Sequence, residues 1–200
     1  MAYVSLQPAP HTPIPVRHLV RKHLDMQFAD AHAMLRLPIK TDSGLRAGCN
    51  FACASWLLGP IGGASRIFND HKRSMENGAA FRTVVCDYFP WEVSPPSDLT
   101  PNKIAGDLWK VFRNPLSHNW AVHEPGETRV VSITKRVCSE RELVELERAT
   151  TPPAWVRPVM TSDHLYVDGL YLASLRMVYK LTADPARMTE TAAFLVKVSR

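Results

Sequence analysis

The stretch TPNKIAGDLWKVFRNPLSHNW, residues 100–120, combines the clearest helix pattern of the chain with its densest polar motif. Thr100 followed by Pro101 is typical of an N-cap with proline at the first helical position. Apolar side chains then return to one side at about 100° per residue, as a helix with one buried face requires; they are Ala105, Leu108, Trp109, Phe112, Leu116 and Trp120. The pattern predicts an amphipathic helix whose apolar face packs into a helical core.

A polar cluster occupies the other side of this predicted helix. Arg113 and Ser117 are four residues apart. Asn114 and His118 have the same spacing, so a continuous helix would place the four side chains in two adjacent columns. Pro115 leaves an alternative open, because Asn114 could instead cap a new helix and present free backbone N–H groups beside Arg113. Either arrangement predicts a site for an anion.

The residue types in this cluster suit phosphodiester chemistry. A guanidinium binds phosphate in bidentate fashion and stabilises the extra charge of a pentacoordinate transition state. A neutral imidazole transfers protons near physiological pH. Arg113 and His118, with Asn114 as a positioning amide, would therefore allow RNA cleavage without a metal ion, using the 2′-hydroxyl as nucleophile.

The spacing from arginine to histidine carries no information by itself. An arginine, then four to six residues, then a histidine occurs four times in the chain, beginning at Arg17, Arg66, Arg113 and Arg157. Arg113 differs from the other three because Asn114 follows it and an amphipathic helix leads into it. On the residues alone, a functional cluster and a solvated polar face both remain open.

Two predicted helices begin the folded part of the chain. The first covers 16–35 and ends before Pro38; its basic face is formed by Arg17, Arg21 and Lys22. The second has Asp42 or Ser43 as its cap and is broken by the segment GPIGG at 59–63. Two interpretations of this face stay open, a contribution to binding of an RNA backbone and a solvated surface, which is the more usual meaning of such a face.

Later elements are predicted from the same periodicity, bounded by caps or prolines. They are a helix over 77–89, strands over 128–137 and 156–160, a short helix opened by the capping box of Ser139 and Glu142, a long helix over 166–181, and a last helix after Asp184-Pro185. The fold class is therefore mainly α, an up-and-down helical bundle with a small β-hairpin inserted after the fourth helix.

Length and composition predict one folded unit. The chain has 200 residues, of which 46% are hydrophobic, enough for one well-filled core. We predict a proline-rich extended arm over 1–15 and a single domain over 16–200. Within that domain, 16–123 forms the core bundle, and 126–200 supplies the strand pair and the C-terminal helices.

Charge and cysteine content indicate partners and compartment. A formal net charge of +5 favours anionic partners such as nucleic acid or nucleotides. Four scattered cysteines predict a reducing cytoplasm rather than a disulfide framework. The first fifteen residues do not resemble a secretory signal, and no stretch of about 18 apolar residues predicts a membrane span. Cys49 and Cys53 lack a second ligand pair, and 59–63 lacks the lysine of a P-loop, so we predict neither a metal nor a cofactor.

The segment RNPLSH, 113–118, at the end of the fourth helix resembles the arginine–polar–spacer–histidine motif of the HEPN superfamily (higher eukaryotes and prokaryotes nucleotide-binding). The resemblance covers roughly 16–120. It implies a helical core that forms a homodimer with two motifs facing each other, and a metal-independent endoribonuclease of toxin–antitoxin or phage-defence systems. Arg113 and His118 would be catalytic and Asn114 would orient them. Trp120 stands where one branch of the superfamily has a tyrosine that can be modified.

These inferences define the expected partners and the alternatives. The expected ligand is RNA or a nucleotide, bound by Arg113, Ser117, Lys110, Arg17 and Arg21. A second copy of the chain would complete the site, with an antitoxin or regulatory protein as a further partner. Two other readings stay open: a non-catalytic helical module that binds nucleotide, RNA or protein through the same face, and a purely structural dimerisation domain.

Overall fold

The computed structural model of the protein describes residues 3–4, 14–38, 49–72, 76–92, 97–113, 131–136 and 139–198. Helices dominate this part of the chain: α1 (Val16–Arg36), α2 (Asn50–Lys72), α3 (Asn77–Tyr88), α4 (Pro101–Asp107), α5 (Glu140–Arg148), α6 (Val167–Ala183) and α7 (Pro185–Val198). The strands are short, namely β1 (Tyr3–Val4), β2 (Ile14–Pro15), β3 (Ser132–Thr134) and β4 (His164–Tyr166). The prediction of a mainly helical bundle is confirmed.

Helix α2 lies at the centre of the bundle. It packs against α1, α3, α6 and α7, and against the turn that follows α4. Its fully buried Leu57, Leu58 and Ile61 join one hydrophobic core with large side chains from the neighbouring helices. These include Leu35, Phe81, Phe89, Phe112 and Tyr171. Burial of these side chains is the main stabilising term that holds the helices together.

The predicted break of the second helix at 59–63 is wrong. Helix α2 continues through Pro60 to Lys72. Proline removes one helical hydrogen bond, but packing of the buried face on four neighbouring helices outweighs that local cost. The helix also begins later than a cap at Asp42 or Ser43 would require: Asn50 is its first residue, and Cys49 before it has a φ of 52°. Asp42 and Ser43 lie outside the described residues.

Helix α2 has two apolar sides. Ala52 and Trp56 lie on the side that is exposed. The side that enters the core instead carries Cys53, Ala54, Leu57, Leu58 and Ile61. Two apolar arcs compete on this helix, and the wider one is buried.

The strand pair after α4 is parallel, so the predicted hairpin is corrected. Ser132 pairs with His164, and Thr134 with Tyr166. Helix α5 lies in the connection between them, as a parallel pair requires a long crossover. Residues 156–160 do not form the second strand; Met160 makes an isolated bridge with Leu165. In the proline-rich arm, β1 and β2 pair in antiparallel fashion.

Several local predictions are confirmed. Helix α1 ends before Pro38, and α3 ends before Pro90. Thr100 caps α4 by accepting a hydrogen bond from the backbone N–H of Lys103 at 3.3 Å, with Pro101 at the first helical position. The capping box of Ser139 and Glu142 opens α5. Among the described residues, no helix is both long enough and apolar enough to cross a membrane.

Candidate functional site

Arg113 ends a six-residue π-helical turn, Leu108–Arg113, that directly continues α4. Few proteins contain π-helical turns, but the turns that do occur are often found at functional sites. The turn buries Leu108 and Phe112, as the apolar pattern predicts, and also Val111, which lies outside that pattern. Because its hydrogen bonds reach five residues instead of four, each residue turns less than in an α-helix. Side chains beyond Asp107 therefore depart from the positions that simple helical spacing assigns to them.

Two glycines receive side chains from this π-helical turn. A Cβ on Gly62 of α2 would lie 3.0 Å from Nε of Arg113 and 3.5 Å from its Nη2. A Cβ on Gly78 of α3 would lie 2.6 Å from Nε1 of Trp109. The Trp109 ring also packs on Phe81, with ring centroids 5.3 Å apart. The missing side chains at both glycines allow the turn to approach α2 and α3 closely.

The charges around the turn favour an anion. Arg113 is half-buried, and Lys110 is exposed. Asp107 is buried and accepts an ion-pair hydrogen bond from Lys103 Nζ at 2.5 Å. Within 101–113 there are three cations and one carboxylate, which leaves a local positive surplus.

The structure places part of the predicted cluster. Arg113 and Lys110 lie at the end of the π-helical turn. Asn114, Ser117 and His118 lie outside the described residues. The sequence expectation that Arg113 points away from the packed side is also refined, because its guanidinium rests against Gly62 of the central helix.

The predicted basic face on α1 borders an open depression of about 500 Å³. Its described lining consists of His18, Arg21, Lys22, Asp25, Met26 and Ala29. Arg21 pairs with Asp25 at 3.4 Å and lies over the half-exposed ring of Tyr179, 4.1 Å from its centroid. Arg17 belongs to α1, but its side chain lies outside the described part. This face offers cations beside an exposed aromatic ring, although Asp25 offsets part of the charge.

A second polar cluster was not predicted from the sequence. His32 of α1 and Tyr171 of α6 both contact the same oxygen, Oε1 of Glu147 on α5, at 2.7 and 2.5 Å. His32 and Glu147 are 115 positions apart. The available sequence signal is slight: a histidine beside the apolar stripe of α1, and glutamates on the short helix α5. Neither indicates a partner until the chain has folded.

Cysteine and metal chemistry find little support in the described residues. Burial, opposed in part by Lys135, raises the pKa of Cys53 to about 12, so its thiol stays protonated and is a poor nucleophile. Cys49 is exposed at the start of α2. Across the described ranges, no group of three or more histidine, cysteine, aspartate or glutamate side chains is arranged to hold a metal ion.

Comparison with known proteins gives no match: no protein family, no curated protein and no solved structure is similar to the chain at a significant level. What the candidate site can do follows from its own residues. These are an arginine backed by glycine at the end of a π-helical turn, a local surplus of positive charge, and the Asn114 and His118 that come next in the sequence.

Proposed function

We propose that the protein is a metal-independent endoribonuclease of HEPN type that cleaves RNA at a composite site formed by two copies of the chain. The observation that carries the proposal is the position of Arg113. Arg113 is the last residue of the π-helical turn, and its guanidinium lies against Gly62 of α2. In the motif, Arg113 directly precedes Asn114. A held arginine is preorganised to bind a phosphate, which lowers the cost of ordering it on substrate binding.

The proposed reaction needs only groups that this chain carries. The 2′-hydroxyl oxygen attacks the adjacent phosphorus, and the bond from phosphorus to the 5′ oxygen breaks. His118 takes the proton of the 2′-hydroxyl, and the partner subunit's His118 gives a proton to the leaving 5′ oxygen. Arg113 stabilises the added charge on the phosphoryl oxygens, while Asn114 orients the cluster. The products are a 2′,3′-cyclic phosphate and a 5′-hydroxyl.

RNA binding would extend beyond the reacting phosphate. Lys110 is exposed beside Arg113, and Ser117 belongs to the same motif. On α1, Arg21 lies on the half-exposed Tyr179, a combination of cation and aromatic ring that suits single-stranded nucleic acid. Arg17 would add a further backbone contact. Each phosphate contact predicts weaker binding as the salt concentration rises.

One observation favours a second function, a non-catalytic RNA- or nucleotide-binding module. Arg21 lies over the half-exposed ring of Tyr179, and a cation beside an aromatic ring binds nucleic acid without a catalytic group. In this case the chain binds the same ligands through the same residues without hydrolysing them.

RNA cleavage in the presence of a chelator separates the two functions. The unaltered chain should release fragments with 2′,3′-cyclic phosphate ends. An oligonucleotide of the same base sequence with only 2′-deoxyribose should stay intact, because it lacks the attacking 2′-hydroxyl. His118→Ala should abolish cleavage while the helical circular dichroism is unchanged. Binding without cleavage by the unaltered chain would establish the binding module instead, and undiminished cleavage by His118→Ala would overturn the mechanism.

A further inference from the structure

The exposed side of helix α2 is apolar and carries no charge. Between residues 51 and 59, the exposed positions are Phe51, Ala52, Ser55, Trp56 and Gly59. Phe51 and Trp56 are exposed over 51% and 44% of their surfaces. From residue 50 to residue 65 the helix has no charged side chain, whereas the exposed sides of α1 and α5 have several. A solvated helix face is ordinarily polar, so this face is typical of a surface that another protein covers.

Four of these residues form a hole of the kind that receives a side chain from a facing helix. They occupy positions i, i+3, i+4 and i+7, namely Ala52, Ser55, Trp56 and Gly59. In paired helices, four residues of one helix surround each knob of the other. Three of the four residues here are small, and a Cβ on Gly59 would meet nothing within 4 Å. Glycine inside a helix costs about 1 kcal/mol relative to alanine, and in the described part of the chain no close neighbour requires it at this position.

Trp56 is a knob that suits this hole. Its indole N–H donates to the Gln27 carbonyl of α1 at 2.9 Å, which satisfies the polar atom and fixes the ring at the edge of the face. The rest of the ring presents apolar surface to solvent. A tryptophan held in this way provides a large contact area at a low cost in conformational entropy. Knob and hole therefore occur on the same helix.

Symmetry and charge identify the occupant of the face. A surface that contains both knob and hole is complementary to itself, which is the condition for a two-fold interface. Two chains of net charge +5 repel each other, and an uncharged face is where this repulsion is smallest. In an antiparallel pair centred between Ser55 and Trp56, Ala52 of each copy lies opposite Gly59 of the other, so the helices can approach closely.

We propose that this face of α2, residues 51–59, binds a second copy of the chain in antiparallel orientation. The π-helical turn borders the face on the side of Gly62, and α1 borders it on the side of Trp56. A two-fold axis that lies in the interface, perpendicular to both helices, brings equal edges together. The two copies of Arg113 then lie on the same side of the pair. The choice of a second copy rests in part on the proposed ribonuclease, which needs a composite site.

Sedimentation equilibrium of the full chain without RNA tests this interface. The unaltered chain should form a dimer at micromolar concentrations. Trp56→Glu places a charge in the hole of the partner and should raise the dissociation constant by about 100-fold. Met26→Glu is the matched control and should leave the constant unchanged, because Met26 is exposed on α1 at the depression beside Arg21, outside the α2 face.

A second pair of variants tests the hole without altering the tryptophan. Gly59→Gln fills the hole but leaves the fold intact, because its Cβ enters open space; it should weaken the dimer by a similar factor. Gly63→Gln is its control, since a Cβ there also meets nothing within 4 Å but lies beyond the paired segment. Circular dichroism should be the same for all four variants.

The interface and the proposed ribonuclease can fail separately. A chain that stays monomeric, or a dimer that survives both Trp56→Glu and Gly59→Gln, would overturn the interface. Equal weakening by Gly59→Gln and Gly63→Gln would overturn a pairing centred between Ser55 and Trp56. A dimer that dissociates as described but cleaves no RNA would support the interface and contradict only the ribonuclease.

Discussion

The π-helical turn and the cluster of His32, Glu147 and Tyr171 are two polar sites of the same bundle, but they are built in different ways. The residues around Arg113 are contiguous in the sequence, and their chemistry is visible there. The cluster of His32, Glu147 and Tyr171 joins α1 to α5 across 115 positions and α5 to α6 across 24. In the first case local spacing was enough to suggest a polar cluster, whose members beyond Arg113 lie outside the described residues. It did not predict that Gly62 would receive the arginine, or that α5 would return to His32.

The largest expected effect comes from filling the space beside Arg113. Gly62→Ala adds a Cβ at 3.0 Å from Nε, which the flexible guanidinium can relieve by moving. The change in unfolding free energy should stay within about 1 kcal/mol, because alanine also favours the helix. A displaced arginine should lower the rate of RNA cleavage by about 100-fold. Single-turnover cleavage and denaturant unfolding measure the two quantities separately.

Gly63→Ala is the matched control for this prediction. Gly63 lies on the same helix, and a Cβ there would meet nothing within 4 Å. The control should leave cleavage unchanged. If both variants cleave RNA as fast as the unaltered chain, the position of Arg113 against Gly62 has no part in the reaction.

A smaller effect is expected from Tyr171→Phe in the cluster of His32, Glu147 and Tyr171. This change removes one of the two donors to Glu147 and should lower the unfolding free energy by about 1 kcal/mol. Tyr179→Phe is the control, since this ring is half-exposed on the same helix. Equal loss in both variants, measured by denaturant unfolding, would mean that the long-range hydrogen bond adds nothing.

The smallest effect concerns the local cap of α5. Hydrogen bonds from the backbone N–H and hydroxyl of Ser139 lower the pKa of Glu142, opposed by desolvation and helped by Arg136. Because the folded pKa is lowered, this stabilisation is present above the ordinary glutamate value of 4.5 and is lost as the pH falls. Glu142→Gln should therefore lower the melting temperature by about 1 °C at pH 7.

At pH 3 the difference in melting temperature between this variant and the unaltered chain should shrink, because the stabilisation is lost as the pH falls below 4.5. Glu145→Gln provides the reference, since its side chain is exposed on the same helix. A difference that persists unchanged at pH 3 would show that the charge of Glu142 does not contribute to the cap.

Apolar periodicity and caps predicted α1, α3, α4, α6 and α7 well, because these signals act within one helix. The continuation of α2 through Pro60 could not be predicted, since packing on four other helices overrides a local breaker. Strand β4 was not predicted, for a related reason. Its parallel pairing with β3 depends on α5 crossing between them, and sequence alternation carries no information about that path.

The candidate site was likewise predicted only in part from the sequence. Residue chemistry in the sequence pointed to Arg113 and its motif. The structure adds the π-helical turn, in which Arg113 lies against Gly62 and Trp109 lies against Gly78. Helical spacing could not anticipate these contacts, because a π-turn changes the rotation per residue. The sequence gave no sign that His32 has a partner, since its contacts come from the single helix α5, which follows far along the chain.

Cleavage of RNA by the Arg113→Ala variant in the presence of a chelator is the most direct test of the proposed ribonuclease. The unaltered chain should yield fragments with 2′,3′-cyclic phosphate ends. Arg113→Ala should yield none, while its circular dichroism shows that it is folded. Cleavage by a folded Arg113→Ala at the unaltered rate would contradict the role given to this arginine.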